Sequence, residues 1–211
     1  MWNLSYKEEE YWNTGTHALG ILLGIAGAVM LVSKGSDLDP TGRWALWVYS
    51  LSIILLFSAS TIYHAVADPR IKKKLRILDH ISIYFLIAGT YTPVALITLR
   101  DTSGWTLFWA VWGMAAFGTV LKIFFTGRFE IFSLLLYLLM GWLIVIDIGN
   151  LMELLSPTGK RLLIAGGAFY TLGILFYAIR KIPFNHMIWH FFVLGGAICH
   201  WLLVYLDVVP D

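Results

Sequence analysis

Apolar residues along this chain are grouped into seven long segments, and each is separated from the next by a short polar stretch. About 20 consecutive apolar residues suffice for an α-helix to cross the hydrocarbon core of a bilayer. A helix satisfies its own backbone hydrogen bonds, so it is the structure that such segments adopt in lipid. The pattern therefore predicts an all-α, polytopic membrane protein that is a bundle of seven transmembrane helices. The predicted spans are residues 17–33, 44–66, 78–99, 105–125, 130–149, 162–179 and 187–209.

The polar stretches are too short for a second domain, so we expect residues 1–211 to form a single seven-helix domain. Residues 1–16 mix charged side chains with aromatic ones such as Trp2 and Trp12, which predicts a short segment at the membrane interface. This segment lacks a basic region followed by a cleavage site, so no removable signal peptide is expected. Three turns containing proline separate neighbouring spans: Asp39-Pro40, Asp68-Pro69 and Ser156-Pro157.

The placement of the charges predicts an orientation. Hydrophobic residues make up 59% of the chain and charged residues only 13%, against about 25% charged in soluble domains. If the N-terminus is inside, ten of the 15 lysines and arginines, Arg180 among them, fall on the inner side, where such residues accumulate. Five of these lie within residues 70–76, a run interpreted as a topology signal near anionic lipids. We therefore predict a cytoplasmic N-terminus and an external C-terminus. The sequence indicates neither nucleic-acid binding nor a protein partner.

Four ionisable residues from three spans are predicted to meet at one membrane depth. His64 lies near the cytoplasmic end of the second span, and Asp79 lies near the same end of the third. His186 and His190 open the seventh span, one helical turn apart and therefore on one face. Ionisable side chains at membrane depth are rare and usually functional. Their agreement in depth predicts one site.

Three histidines and a carboxylate are typical of a catalytic zinc site, in which three protein ligands leave one position for water. We assign His64, His186 and His190 as ligands of one zinc ion per chain, and Asp79 as the group that accepts a proton from the zinc-activated water. Ser60 lies one turn before His64 and could hydrogen-bond that water or a polarised carbonyl. Iron, nickel and copper also suit this donor set.

Taken singly, each of these residues has a structural role that would account for it. His64 could be an interhelical hydrogen-bonding residue, and the spacing of His186 and His190 can arise by chance. Asp79 could be a helix N-cap and Ser60 a packing residue.

Four other residues receive assignments outside the site. His17 opens the first span and is interpreted as interfacial rather than as a neighbour of the metal. His200 lies about 15 Å along the helix from His190 and cannot share the metal. Asp147 is interpreted as a solvated residue near the outer end of the fifth span. Cys199, the one cysteine, is interpreted as a packing residue within the last span.

The order and spacing of Ser60-x-x-x-His64, Asp79 and His186-x-x-x-His190 resemble the progestin and adipoQ receptor family. Glu10-x-x-Asn13-x-x-x-His17 is most similar to its bacterial branch, the hemolysin III proteins, and the wider superfamily includes alkaline ceramidases. The resemblance implies a seven-helix bundle with a cytoplasmic N-terminus and zinc held by the three histidines, with Asp79 near the metal-bound water. It also implies hydrolysis of lipid amides such as ceramide, a bacterial inner-membrane location and, from the hemolysin name, cytolysis.

Three functions are consistent with these observations. The first is a zinc-dependent hydrolase that acts on an amide bond of a membrane lipid. The second is a non-enzymatic, zinc-stabilised sensor, regulator or receptor-like protein of the membrane. The third is a cytolysin. Membrane lipids are the expected partners in each case.

Overall fold

The computed structural model of the protein describes residues 6–179 and 181–210, and these residues form helices and no strand. Seven helical segments are long and apolar enough to cross a membrane, which confirms the predicted all-α membrane bundle. Residues 1–5 of the predicted interfacial segment and Arg180 lie outside the described residues. The helices are α1 (Tyr6–Lys34), α2 (Pro40–Ala65), α3 (Pro69–Pro93), α4 (Gly104–Phe125), α5 (Glu130–Gly141), α6 (Ile148–Leu154), α7 (Pro157–Ala178) and α8 (Asn185–Leu203).

Helices α1, α2 and α8 lie side by side and position the candidate site. Helix α1 packs along α2 and also contacts α8, while α2 packs along α3 and α7 packs along α8. The chain alternates in direction, so that α2 ends at the end of the bundle where α1, α3, α5 and α8 begin. We call this the histidine end, because His64, His186 and His190 lie there. The core behind it is apolar, with Leu31 and Tyr49 fully buried.

Three helices begin at a capping residue followed by proline, as the predicted turns required. Asp39 accepts a hydrogen bond from the backbone N–H of Gly42 at 2.9 Å, and Ser156 accepts one from Gly159 at 3.1 Å. Asp68 accepts from Arg70 at 2.8 Å at the start of α3.

Helix α3 begins nine residues before the predicted limit at residue 78, because the basic run 70–76 is helical. The structure thereby contradicts the N-cap role considered for Asp79, which lies well inside the helix.

The fifth span, predicted as one helix over residues 130–149, is interrupted. Helix α5 ends at Gly141, a tighter helical segment follows over Leu143–Asp147, and α6 completes the crossing. The Tyr91 hydroxyl of α3 donates to the Gly141 carbonyl at 3.0 Å and accepts from the Ile144 N–H at 2.8 Å. A side chain inserted into the backbone ladder is a known cause of helix breaks. The interruption therefore comes from a partner on another helix.

Candidate metal and hydrolytic site

Three histidines from two helices meet at the histidine end. The Nε2 atoms of His64 and His186 are 3.3 Å apart, and one ring nitrogen from each of His64, His186 and His190 lies within 4.8 Å of the others. Tetrahedral zinc with Zn–N bonds near 2.0–2.1 Å separates its nitrogen ligands by about 3.3 Å. The three predicted ligands are thus close enough to bind one metal ion. Within residues 6–179 and 181–210, no other group of three or more His, Cys, Asp or Glu side chains has such spacing.

Two of the histidines are oriented by helix α1 through their second ring nitrogen. His64 Nδ1 donates to the Glu10 carboxylate at 2.9 Å, and His190 Nδ1 donates to the backbone carbonyl of Asn13 at 3.2 Å. The Thr16 hydroxyl lies 3.3 Å from the same His190 atom. A hydrogen bond at Nδ1 fixes the tautomer that leaves Nε2 free to bind a metal. These contacts match the usual surroundings of metal-binding histidines.

Helix α1 contributes more to the site than its sequence indicated. Glu10 also pairs with Lys72 of α3 at 2.8 Å, so one carboxylate joins α1, α2 and α3. His17 is only 3% exposed and stacks on the His190 ring with centroids 3.7 Å apart. The interfacial interpretation of His17 is therefore wrong: the side chain is buried in the bundle beside the metal-binding group. The Glu10-x-x-Asn13-x-x-x-His17 spacing was the one available signal for this role.

Asp79 and Ser60, the residues assigned to proton transfer, both lie at the histidine end of the bundle. Both residues line the cavity that contains His186 and His190. The Asp79 carboxylate lies near His64, Arg76 and Ser60. Asp79 is not among the residues grouped closely enough to share the metal. The Asp79 carboxylate is therefore free to accept or donate a proton.

A cavity of about 630 Å³ runs from the histidines toward the other end of the bundle. His17, Ser60 and Asp79 line it at the histidine end, and His200 and Val204 line it farther along. The positions of His190 and Val204 on the last span correspond to a length of roughly 20 Å. One leaflet contributes about half of the roughly 30 Å hydrocarbon core, so the cavity is at least as long as the acyl region of one leaflet.

The cavity borders the outer surface between α5 and α7. Trp142, Ile164 and Leu172 line the cavity, and each of these side chains is also half or more exposed on the outside of the bundle. Because these side chains contact both the cavity and the outer surface of the bundle, the wall between the two is one side chain thick. Only these side chains separate the cavity from the outer surface at this place.

His200 and Asp147 are not part of the group of three histidines. The His200 ring packs against Tyr170, with ring centroids 5.5 Å apart, at the far part of the cavity. Asp147 accepts hydrogen bonds from Ser103, directly before α4, and from Asn150 of α6. Neither residue contacts the histidines.

Comparison with known proteins finds a family model and several relatives that match this chain. Residues 5–201 match the family model described as Haemolysin-III related. The chain is 44% identical over 206 residues to "Hemolysin-3" of Bacillus cereus, covering 97% of this chain and 94% of that protein. It is 43% identical over 209 residues to "Hemolysin-3 homolog" of Bacillus subtilis (strain 168), covering 96% and 97%. It is also 32% identical over 206 residues to the human "Monocyte to macrophage differentiation factor", covering 92% and 82%.

Proposed function

Because the chain belongs to the haemolysin III-related family of membrane proteins, and because three of its histidines could bind a metal, we propose that it is a zinc-dependent hydrolase acting on an amide bond of a membrane lipid. The observation that carries the proposal is the carboxylate of Asp79 beside a three-histidine group, at the end of a cavity long enough for an acyl chain. A purely structural metal site does not need such a cavity.

His64, His186 and His190 would hold the zinc ion. When bound, zinc polarises a carbonyl and lowers the pKa of a water molecule to about 7. The hydrogen bonds from His64 to Glu10 and from His190 to Asn13 hold the two rings in the orientation that binding requires. The donor set fits zinc, and the apolar cavity walls limit access of bulk water to the site.

The chain supplies the proton transfers. Asp79 takes a proton onto a carboxylate oxygen as the attacking water forms its bond to the amide carbon. Ser60 Oγ–H donates to the carbonyl oxygen, where negative charge develops. Asp79 then returns the proton to the amide nitrogen as the C–N bond breaks. The products are a fatty acid and an amine.

A second function has one observation in its favour. The histidines and their hydrogen-bond partners connect α1, α2 and α8, so a bound metal would hold three helices together. A zinc-stabilised sensor or regulator would use this link without turnover. The cytolytic activity named in the Bacillus relatives would instead require a path for ions or water through the membrane.

The test compares metal content and turnover in three purified, detergent-solubilised proteins. For the parent we expect about one zinc per chain by elemental mass spectrometry and release of fatty acid from a lipid amide. Asp79→Asn should retain zinc and lose at least about 100-fold in turnover, the usual contribution of a positioned acid–base group. The double variant His186→Ala, His190→Ala should lose both. Zinc without turnover in the parent would favour the sensor, and absence of metal would overturn the zinc proposal.

A further inference from the structure

A second group of polar and charged residues lies beside the histidines. We call it the Glu130 cluster: His80, Lys122 and Glu130 line the cavity, and Arg76 pairs with Glu130. Lys122 Nζ donates to Glu130 Oε2 at 2.8 Å, and an Arg76 guanidinium N–H donates to Glu130 Oε1 at 3.1 Å. His80 Nδ1 lies 3.8 Å from Glu130 Oε2. Three helices, α3, α4 and α5, therefore converge on one carboxylate.

The cluster has hydrogen-bonding capacity that its own members do not use. Lys122 is only 2% exposed, and Glu130 is the one acceptor for its three N–H donors among the described residues. His80 is 8% exposed, and its Nδ1 has no hydrogen-bond partner within the described part of the chain. Buried polar groups are costly unless they are hydrogen-bonded. Lys122, His80 and Glu130 all line the cavity, so a cavity ligand could supply the missing partners.

The charges around Glu130 favour an anionic ligand. One carboxylate is shared by two cations, Arg76 and Lys122. The other nearby carboxylate, Asp79, interacts with His64 and Ser60 as well as with Arg76. An additional carboxylate or phosphate would pair with Lys122 through charge-assisted hydrogen bonds, which are about twice as strong as neutral ones.

The Glu130 cluster lies close to Asp79 and the histidines, between which the amide bond would be held. Arg76, Asp79 and His80 lie within about one turn of α3, whose pitch is 5.4 Å. His80 and His186 also line the same cavity. A group bound at Glu130 would therefore lie close to a carbonyl held between Asp79 and the histidines, while the acyl chain extends along the cavity.

We propose that the Glu130 cluster is the headgroup site of this cavity and that it selects amide lipids whose headgroup carries a carboxylate or a phosphate. This inference rests on the proposed function for the placement of the amide, but headgroup binding itself requires neither the metal nor turnover. Lys122 is the principal contact, and the Glu130 carboxylate competes with the anionic headgroup for the Lys122 N–H donors.

The test uses two amphiphiles with the same acyl chain and the same amide, N-oleoylglycine and N-oleoylethanolamine. Binding of each to the purified, detergent-solubilised protein is measured by equilibrium methods. The parent should bind the anionic lipid about tenfold more tightly, the effect of one charge-assisted contact. Lys122→Gln should bring the ratio close to one, and Glu130→Gln should raise it. Arg128→Gln, which removes a charge from an exposed residue near the cluster, should leave the ratio unchanged.

Two further measurements distinguish the headgroup site from carboxylate binding by the metal and from binding of free anions. The preference for N-oleoylglycine should persist in the double variant His186→Ala, His190→Ala, which lacks two of the three histidines. If the metal alone bound the carboxylate, this variant would lose the preference. If the double variant keeps the preference and the parent hydrolyses no lipid amide, the headgroup assignment is supported and the proposed function is wrong. Displacement of N-oleoylglycine by acetate or inorganic phosphate at equal concentration would identify a free-anion site and overturn the headgroup assignment. Equal binding of the two lipids by the parent, or an unchanged ratio in Lys122→Gln, would also overturn it.

Discussion

At the residue scale, two of the three histidines that could bind a metal are oriented by hydrogen bonds at their other ring nitrogens. His64 and His190 each use Nδ1 for a partner on α1, and only the partner of His64 is charged. The hydrogen bond to the Glu10 carboxylate fixes the plane of the His64 ring. Of the two contacts, the one to Glu10 can be altered by side-chain substitution, since the other uses a backbone carbonyl.

Glu10→Gln should weaken zinc binding by about 10- to 100-fold, because such supporting partners usually contribute that much to metal affinity. The change keeps the size of the side chain and removes the charge that pairs with His64 and Lys72. Competition against a chelator of known affinity measures the effect in detergent. Glu9→Gln removes the same charge from the adjacent position and should leave affinity unchanged. Equal affinity of Glu10→Gln and the parent would show that the contact does not support the site.

The sequence predicts what depends on local helix geometry and misses what depends on packing between helices. His186 and His190 can be paired because residues four apart lie on one face of a helix, and the shared depth of His64 and Asp79 follows from the direction of their spans. The buried position of His17 depends on α1 packing against both α2 and α8. Lateral packing of helices is not encoded in hydropathy, so His17 was assigned to the interface.

At the element scale, Tyr91 shows how one helix sets the shape of another. Its hydroxyl bridges the Gly141 carbonyl and the Ile144 N–H, which lie on either side of the break after α5. The existence of this span followed from its apolar length. Its interruption did not, because the hydroxyl comes from a residue some 50 positions away in the chain.

Tyr91→Phe should lower the free energy of unfolding by about 1–3 kcal/mol, because two backbone groups at the break lose their bridging partner. Thermal unfolding of the purified protein in detergent measures the change. Tyr170→Phe is the matched control, since the Tyr170 hydroxyl is buried with no hydrogen-bond partner among the described residues. That variant should be as stable as the parent or slightly more stable. Equal losses in the two variants would assign the effect to repacking rather than to the bridge.

At the scale of the whole molecule, the direction of the chain across the membrane decides which leaflet the site faces. The histidine end contains the start of α3, and that start carries the basic run 70–76. Lysines and arginines close to span ends are retained on the cytoplasmic side. We therefore expect the histidines and the Glu130 cluster to lie at the cytoplasmic leaflet of the membrane.

Cysteine labelling of intact spheroplasts tests this orientation. The natural thiol is first removed by Cys199→Ala, and single cysteines are then introduced by Lys73→Cys at the histidine end or Thr158→Cys at the opposite end, both at exposed positions. A membrane-impermeant maleimide should label the Thr158 variant on intact spheroplasts and the Lys73 variant only after lysis, because the two ends lie on opposite sides of the membrane. The reverse pattern would place the site at the outer leaflet. Substrate lipids would then be those of the external surface, and residues 70–76 would be an exception to the positive-inside rule.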